Sequence, residues 1–489
     1  MNSERKKILI AATNPWSFSL AVERQIAREH QHDQVDVLNL FRLSDSLLHA
    51  RPIDRLAELL NRKIERFLLP VASGADITDD VGRQMNDSIP PLPSSPQELR
   101  NYSVGEARIG LAVLSSVTSF TTVQNPDCLS EYGPALPRAW RSAHLSEQAA
   151  RVVSRMGYAA AYIFNGRHSA ARPFCDVLQE RMTVYRYEQG GTGNRYIMSA
   201  RSIHEPREIA RLIEEHDFDR EAGEEFFENR LRKAPGNPAE FFTIGQVSDL
   251  LPEGVEPGRA VSFFTSSSDE RHAISDKVEY GSFCSQYQAA LAIARICAAS
   301  NYQLVVRFHP HLQFKHPSWR KEWDIGELRR QGAILVDAAD PVDTYALVRA
   351  SRCVLTCGST VGLEATYLGI PAAEIGELPA GILGATNIAR DEAGLKAFIE
   401  RPMMPPDARE KAIRYGSYAC RAGKLLPELD VATHPYYARI AGRIVDPVRY
   451  VFERLRSRVR PKARIALPPG GKLVVEPSVI ERLAERQSG

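Results

Sequence analysis

Residues 352–369, RCVLTCGSTVGLEATYLG, run from a buried strand into a helix through Cys357-Gly358-Ser359-Thr360. Such a junction offers unpaired backbone N–H groups and the positive end of a helix dipole, which suits a phosphate. Gly358 lets a ligand approach the backbone closely. Ser359 and Thr360 can cap the helix or bind a phosphate oxygen. Glu364 lies one helical turn beyond Thr360, where a carboxylate can accept both hydroxyls of a ribose. An ordinary N-cap followed by a surface Glu is the alternative.

Three further segments place polar groups where a strand runs out. In Val305-Val306-Arg307-Phe308-His309-Pro310-His311 the proline ends the strand and turns His309 out at its carboxyl end. A histidine there can donate to a phosphate, and Arg307 is a second anion contact. A capped strand end is the plainer account. His309, His311 and His316 also cluster in sequence, but no Cys or carboxylate nearby completes a metal site. Residues 263–270, FFTSSSDE, end another strand in a hydroxyl-rich turn containing Ser266 and Ser267. That turn is either a phosphate-facing loop or a plain one. Finally, Asn165-Gly166-Arg167 and Glu188-Gln189-Gly190-Gly191 lie at two strand ends about twenty residues apart. Glu188 is the candidate general base, with a solvated strand-end Glu as the alternative.

The elements that position these groups follow a βα rhythm. The pattern predicts strands over 7–12 and 35–40, with helices over 17–30 and 53–69. A Pro/Ser-rich loop covers 88–96. A strand is expected at 109–116, a helix at 145–156 and a strand at 158–164. Residues 205–233 read as charged and helical, and 235–257 contain four prolines. The rhythm then restarts. Strands are expected at 259–265, 302–308, 334–336, 353–356 and 371–375. Helices are expected at 283–299, 318–331, 343–350 and 360–368. Alternation of this kind implies parallel sheets with right-handed crossovers. The expected architecture is α/β: two Rossmann-like, doubly wound domains facing a central cleft. The division is 1–234, a linker at 235–258, 259–435 and a C-terminal tail at 436–489.

The chain has 489 residues, with 62 Lys+Arg against 60 Asp+Glu. A formal charge of +2 gives no electrostatic argument for nucleic acid. Seven cysteines without a CxxC pair argue against a disulfide framework and fit a reducing cytoplasm. No stretch approaches the ~18–20 apolar residues of a membrane span. Asp217-Phe218-Asp219 fits a DxD metal pattern, but it follows a charged helix rather than a buried strand. Gly190-Gly191-Thr192-Gly193 lacks dinucleotide spacing. Residues 446–464 carry seven Lys/Arg against Asp446 and Glu453, a net +5 with apolar residues at helical spacing. That segment reads either as a helix on an anionic membrane or as one packed back on the first domain.

The blocks FNGR, YEQGG, FFTSSSDE, RFHPH and DTYALVRASRCVLTCGSTVGLEATYLGIP, in this order, resemble bacterial capsule and cell-surface polysaccharide glycosyltransferases of the GT-B fold. The last two also resemble the His-Pro and Ser/Thr motifs of bacterial sialyltransferases and polyol-phosphate polymerases. The resemblance covers roughly residues 160–375. It implies a nucleotide-sugar donor on the second domain, held by Ser266, Ser267, Arg307, His309, Gly358, Ser359, Thr360 and Glu364. It implies an oligosaccharide or lipid-linked glycan acceptor on the first domain. Glu188, Arg167 and His309 form the expected catalytic set of an inverting transfer that needs no metal or other cofactor. The expected location is cytoplasmic, peripheral on the inner membrane if 446–464 binds lipid. A CDP-polyol phosphotransferase, a nucleotide-sugar epimerase and a non-catalytic nucleotide-sugar-binding subunit remain as alternatives.

Overall fold

A computed structural model describes residues 5–430 and 439–444, except 15, 45–67, 69, 87, 125, 235–239, 244, 268–272 and 274–279. The helix expected at 53–69, apart from Leu68, and the basic tail at 446–464 lie outside the described residues.

The first sheet contains β1 (Lys7–Ala12), β2 (Gln34–Asn39), β3 (Ala160–Phe164), β4 (Thr183–Gln189) and β5 (Arg195–Ser199). The second contains β6 (Ala260–Phe264), β7 (Gln303–Arg307), β8 (Ile334–Val336), β9 (Ser351–Thr356), β10 (Ala372–Ile375) and β11 (Asn387–Ala389). A short strand, β12 (Lys424–Leu425), returns to the edge of the first sheet and pairs antiparallel with β5. Sheet one therefore runs β12-β5-β4-β3-β1-β2, and sheet two runs β11-β10-β9-β6-β7-β8.

All pairings in the second sheet are parallel. Renumbered from its own first strand, its order is 3-2-1-4-5-6, that of a doubly wound Rossmann sheet. The first sheet is parallel over β2-β1-β3-β4 and adds an antiparallel edge. The chain thus folds as two Rossmann-like α/β units. Strands buried on both faces explain the near-continuous apolar runs such as KILIAA. Each sheet has an apolar cluster on either face.

One expected element has the wrong type. Residues 109–116 are not a strand but the start of α2 (Ile109–Thr121), which follows α1 (Ser17–Glu29) in the first unit. Every residue from Ile109 to Thr118 is buried. A helix buried all round carries no 3.6-residue period, so a short apolar stretch of it cannot be told from a buried strand. The next helix, α3 (Ala135–Val153), begins ten residues before its expected start. The helix expected at 318–331 is two pieces, a 3-10 turn over Pro317–Glu322 and a helix over Ile325–Arg330 capped by Asp324.

The charged segment 205–233 is two helices, α4 (Pro206–Glu215) and α5 (Arg220–Leu231). The second half adds α6 (Thr344–Ala350), α7 (Val361–Tyr367) and α8 (Ala408–Arg421). Helix α5 lies backbone-close on α8. A Cβ at Gly223 would stand 2.2 Å from the Ile413 carbonyl oxygen, and one at Gly416 would stand 2.6 Å from that of Gly223. Phe227, one turn beyond Gly223, is fully buried in a cluster with Leu363 and Ala412. Arg230, two turns beyond Gly223, is thereby aimed at the second sheet. Asp219 caps this helix, accepting from the Ala222 N–H at 3.0 Å.

Candidate functional site

The strand order of the second sheet reverses between β6 and β9. In open parallel sheets ligands sit at such a switch point, beyond the carboxyl ends of the strands. The three central strands end level there, because Phe264 pairs with both Arg307 and Thr356. The loops that follow surround a cavity of 410 Å³. β6 sends Ser266 and Ser267 to its wall, and β7 sends Arg307 and His309. Gly358, Ser359, Thr360 and Glu364 come from the β9–α7 junction. All eight residues expected to hold the donor thus border one space.

Their hydrogen bonds divide the work. The Ser266 hydroxyl donates to the Cys357 carbonyl at 2.9 Å, tying the β6 loop to the β9 loop. Gln286 clamps the same turn from both sides, accepting from Ser266 N–H and donating to its carbonyl. Gly358 has φ +84, a conformation that favours glycine. Ser359 Oγ accepts from the Val361 N–H at 3.4 Å. α7 is only seven residues long, so its dipole is modest, and its Val361 and Gly362 N–H groups already bond to the Ser359 Oγ and carbonyl.

His309 is fixed through its backbone and one ring nitrogen. Its N–H donates to Thr265 Oγ1 at 2.9 Å, and its Nδ1 accepts from the His311 N–H at 3.2 Å. An accepting Nδ1 places the proton of the neutral ring on Nε2, which makes Nε2 a donor. The Phe242 ring packs edge-on against it, with centroids 5.2 Å apart. His316 turns elsewhere: its N–H reaches Thr122 Oγ1 in the first unit, and its Nδ1 caps Ser318. Among the described residues no three His, Cys, Asp or Glu side chains are grouped to hold a metal.

Arg307 borders the cavity but spends its guanidinium on the protein. Nη1 donates to the carbonyls of Asp337 and Asp340, and Nη2 to that of Asp340. The side chain is 2% exposed, its Nε has no partner, and burial lowers its pKa to about 10. It remains a cation at neutral pH, held at the back of the site.

Glu364 is not a surface carboxylate. It is 2% exposed and forms an ion pair with Arg230, whose Nη1 lies 2.8 Å from Oε1. Thr360 Oγ1 donates to the same oxygen at 3.2 Å. Burial, and after it the charge of this carboxylate, push the pKa of Tyr345 well up. A carboxylate offers roughly four acceptor positions. Arg230 and Thr360 use two of them, both on Oε1. Arg230, Tyr345 and Tyr415, all on the cavity wall, had no sequence signal. Arg230 is one charge among many on α5, and only the packing of α5 on α8 brings it here.

Glu188 and Arg167 lie outside this cavity lining. They meet at the carboxyl end of the first sheet. Asn165, at φ +64, donates from Nδ2 to Glu188 Oε2 at 2.6 Å and accepts from the Arg167 N–H at 3.2 Å. Glu188 keeps some exposed area, yet the atoms packed around it raise its pKa. The Gln189 N–H, the Asn165 amide and the Arg167 charge pull the other way, in that order. Asn165 is therefore a member of this group that the sequence placed only as a strand end.

No known family model matches the sequence, and no curated protein matches it. Solved structures similar to the chain share little sequence with it. A Thermosulfurimonas dismutans KpsC, beta Kdo 2,4 transferase, is 11% identical over 60% of this chain and 87% of its own, with a TM-score of 0.30. A Methanocaldococcus jannaschii UDP-GlcNAc 2-epimerase in complex with UDP-GlcNAc and UDP is 12% identical over 84% of this chain and 98% of its own, with a TM-score of 0.28. A UDP-N-acetylglucosamine 2-epimerase from Rickettsia bellii is 13% identical over 84% and 95%, with a TM-score of 0.26. Scores of this size leave the fold to be argued from the sheet topology itself. Among the described residues no helix is long and apolar enough to cross a membrane.

Proposed function

We propose that the chain is a GT-B glycosyltransferase. In this reading it moves a sugar from a nucleotide-sugar donor to a glycan or lipid-linked glycan acceptor of a bacterial surface polysaccharide. The observation that carries the reading is the cavity at the switch point of the second sheet. Its wall combines hydroxyls at Ser266, Ser267, Ser359 and Thr360, a histidine whose Nε2 is a donor, and the buried carboxylate Glu364. That set suits the phosphates and ribose of a nucleotide. The acceptor class comes from the motif resemblance.

The chemistry is a direct displacement at the anomeric carbon, with inversion. Glu188 takes the proton of the attacking hydroxyl as that oxygen bonds to carbon, and Arg167 lies beside it. The bond to the leaving phosphate breaks, and its developing charge is met by His309 and the N–H groups of Ser359 and Thr360. No metal is required, since these donors supply the positive field. A thermal-shift screen with CMP, UDP, GDP and CDP tests the donor site. A bound nucleotide stabilises the native state by ~2.7 kcal/mol at 100 times its dissociation constant. No shift with any of the four overturns the reading. Donor consumption without any acceptor makes the chain an epimerase, and transfer of a polyol phosphate from a CDP-linked donor makes it a phosphotransferase.

A further inference from the structure

Within the nucleotide reading, and resting on it, the geometry points to Arg230 as a positioning residue that keeps Glu364 a hydrogen-bond acceptor for the sugar hydroxyl of the nucleotide. Glu364 is 2% exposed, and a carboxylate so buried takes up a proton unless a cation compensates its charge. Among the described residues, Arg230 of α5 and Thr360, the N-cap of α7, bond to it, and Tyr345 of α6 lies within reach of its charge. Farther along the wall are Arg307, whose terminal nitrogens serve carbonyls, and His309 and His311. Tyr345 and Thr360 are neutral, so among the described residues Arg230 is the cation in bonding contact with the carboxylate.

Arg230 is itself held in place. Its guanidinium lies 4.3 Å from the centroid of the Phe226 ring, and Nη1 also reaches Thr360 Oγ1 at 3.2 Å. Three residues on, Lys233 binds Asp343, the N-cap of α6, at 3.0 Å. The end of α5 is thus anchored at two points on the second unit. A segment that precedes the second sheet in the chain therefore supplies the charge that its nucleotide site needs. An ionised Glu364 accepts a hydroxyl. A protonated one loses most of that attraction and offers a donor instead.

The test is calorimetric titration with the nucleotide found by thermal shift and with its 2′,3′-dideoxy form, from pH 5.5 to 8.5. In wild type, ribonucleotide affinity relative to the dideoxy form should change little with pH, because the titrating phosphate is common to both ligands. Arg230→Gln should weaken it at least 10-fold at low pH and recover as pH rises, since one unit of pKa is a factor of ten in affinity. Arg230→Lys should restore the flat profile. The dideoxy ligand should bind Arg230→Gln and wild type alike. In an Glu364→Gln background, Arg230→Gln should cost nothing further. Equal weakening of both ligands at every pH overturns the inference, because Arg230 then acts on the phosphates or the fold. If Arg230→Gln does not fold, Arg230→Lys and the double variant decide by the same comparison. Absence of binding by wild type overturns the nucleotide reading itself, and this inference with it.

Discussion

The Asn165 side-chain amide donates to Glu188 Oε2 at 2.6 Å, joining the residue after β3 to the penultimate residue of β4. Burial raises the Glu188 pKa, and this bond is one of the interactions that restrain the rise. As a general base Glu188 acts only when ionised, so activity should fall as pH drops through a value above the ordinary carboxylate range. Asn165→Ala removes a donor to the charged form. Its acid limb should move up further, by about half to one pH unit, with turnover approaching wild type at high pH. A pH–rate profile checks this. A uniform loss of rate with an unmoved limb would remove Glu188 as the base.

His309 should matter through Nε2, because Nδ1 is occupied by the His311 N–H. His309→Ala should lower turnover by ~100-fold or more, the usual cost of losing one electrostatic stabiliser. His309→Gln places an amide N–H near the Nε2 position and should recover part of that loss. Steady-state kinetics on both variants separates the two effects. Near wild-type turnover in the alanine variant would take His309 out of the mechanism.

Legibility in the sequence tracked the kind of information each feature needs. The strand ends at Phe264, Arg307 and Thr356 were readable because a buried parallel strand followed by Ser, His-Pro or Gly-Ser is a local pattern. The order of strands then brings those ends together without further instruction. Arg230 was not readable. Its role depends on Gly223 and Gly416 letting two helices meet nearly 200 residues apart in sequence. The sequence offers Glu364 as a ribose carboxylate or a surface residue, and its ion pair with Arg230 exists only because α5 packs here. The helix at 109–121 hides its type for a different reason. Its residues from Ile109 to Thr118 are buried on every side, so over that stretch no periodicity survives to distinguish it from a strand.

Arg307 should prove structural before it proves ligand-binding. Its bonds to the Asp337 and Asp340 carbonyls hold the loop after β8. Arg307→Met removes those hydrogen bonds, and because Asp337 is exposed and Asp340 half-buried the loss is about 0.5–1.5 kcal/mol each rather than the full penalty of a buried unpaired group. The ligand-free protein should therefore lose several degrees in Tm. Calorimetry without nucleotide makes the distinction. An unchanged ligand-free Tm with weaker nucleotide binding would assign Arg307 to the ligand instead.

Glu23 makes a stability prediction that is independent of function. It is fully buried on α1, its Oε1 accepts the Tyr187 hydroxyl at 2.7 Å, and its Oε2 has no partner. Burial pushes its pKa up to about 8, against the pull of the Tyr187 bond. The folded protein therefore holds a proton at neutral pH that the unfolded chain, titrating near about 4.3, has released. Stability from this group is fully present below the unfolded value and is lost as pH rises towards 8, at up to about 1.4 kcal/mol per unit. Glu23→Gln keeps an acceptor for Tyr187 and carries hydrogens in place of the protonated Oε2, but does not titrate. Urea denaturation at pH 5 and pH 8 should then show the variant gaining a few kcal/mol on wild type between the two. Parallel stabilities at both pH values would mean that Glu23 ionises in the folded state with a compensating partner, and Tyr187 alone cannot be that partner because its hydroxyl carries no positive charge.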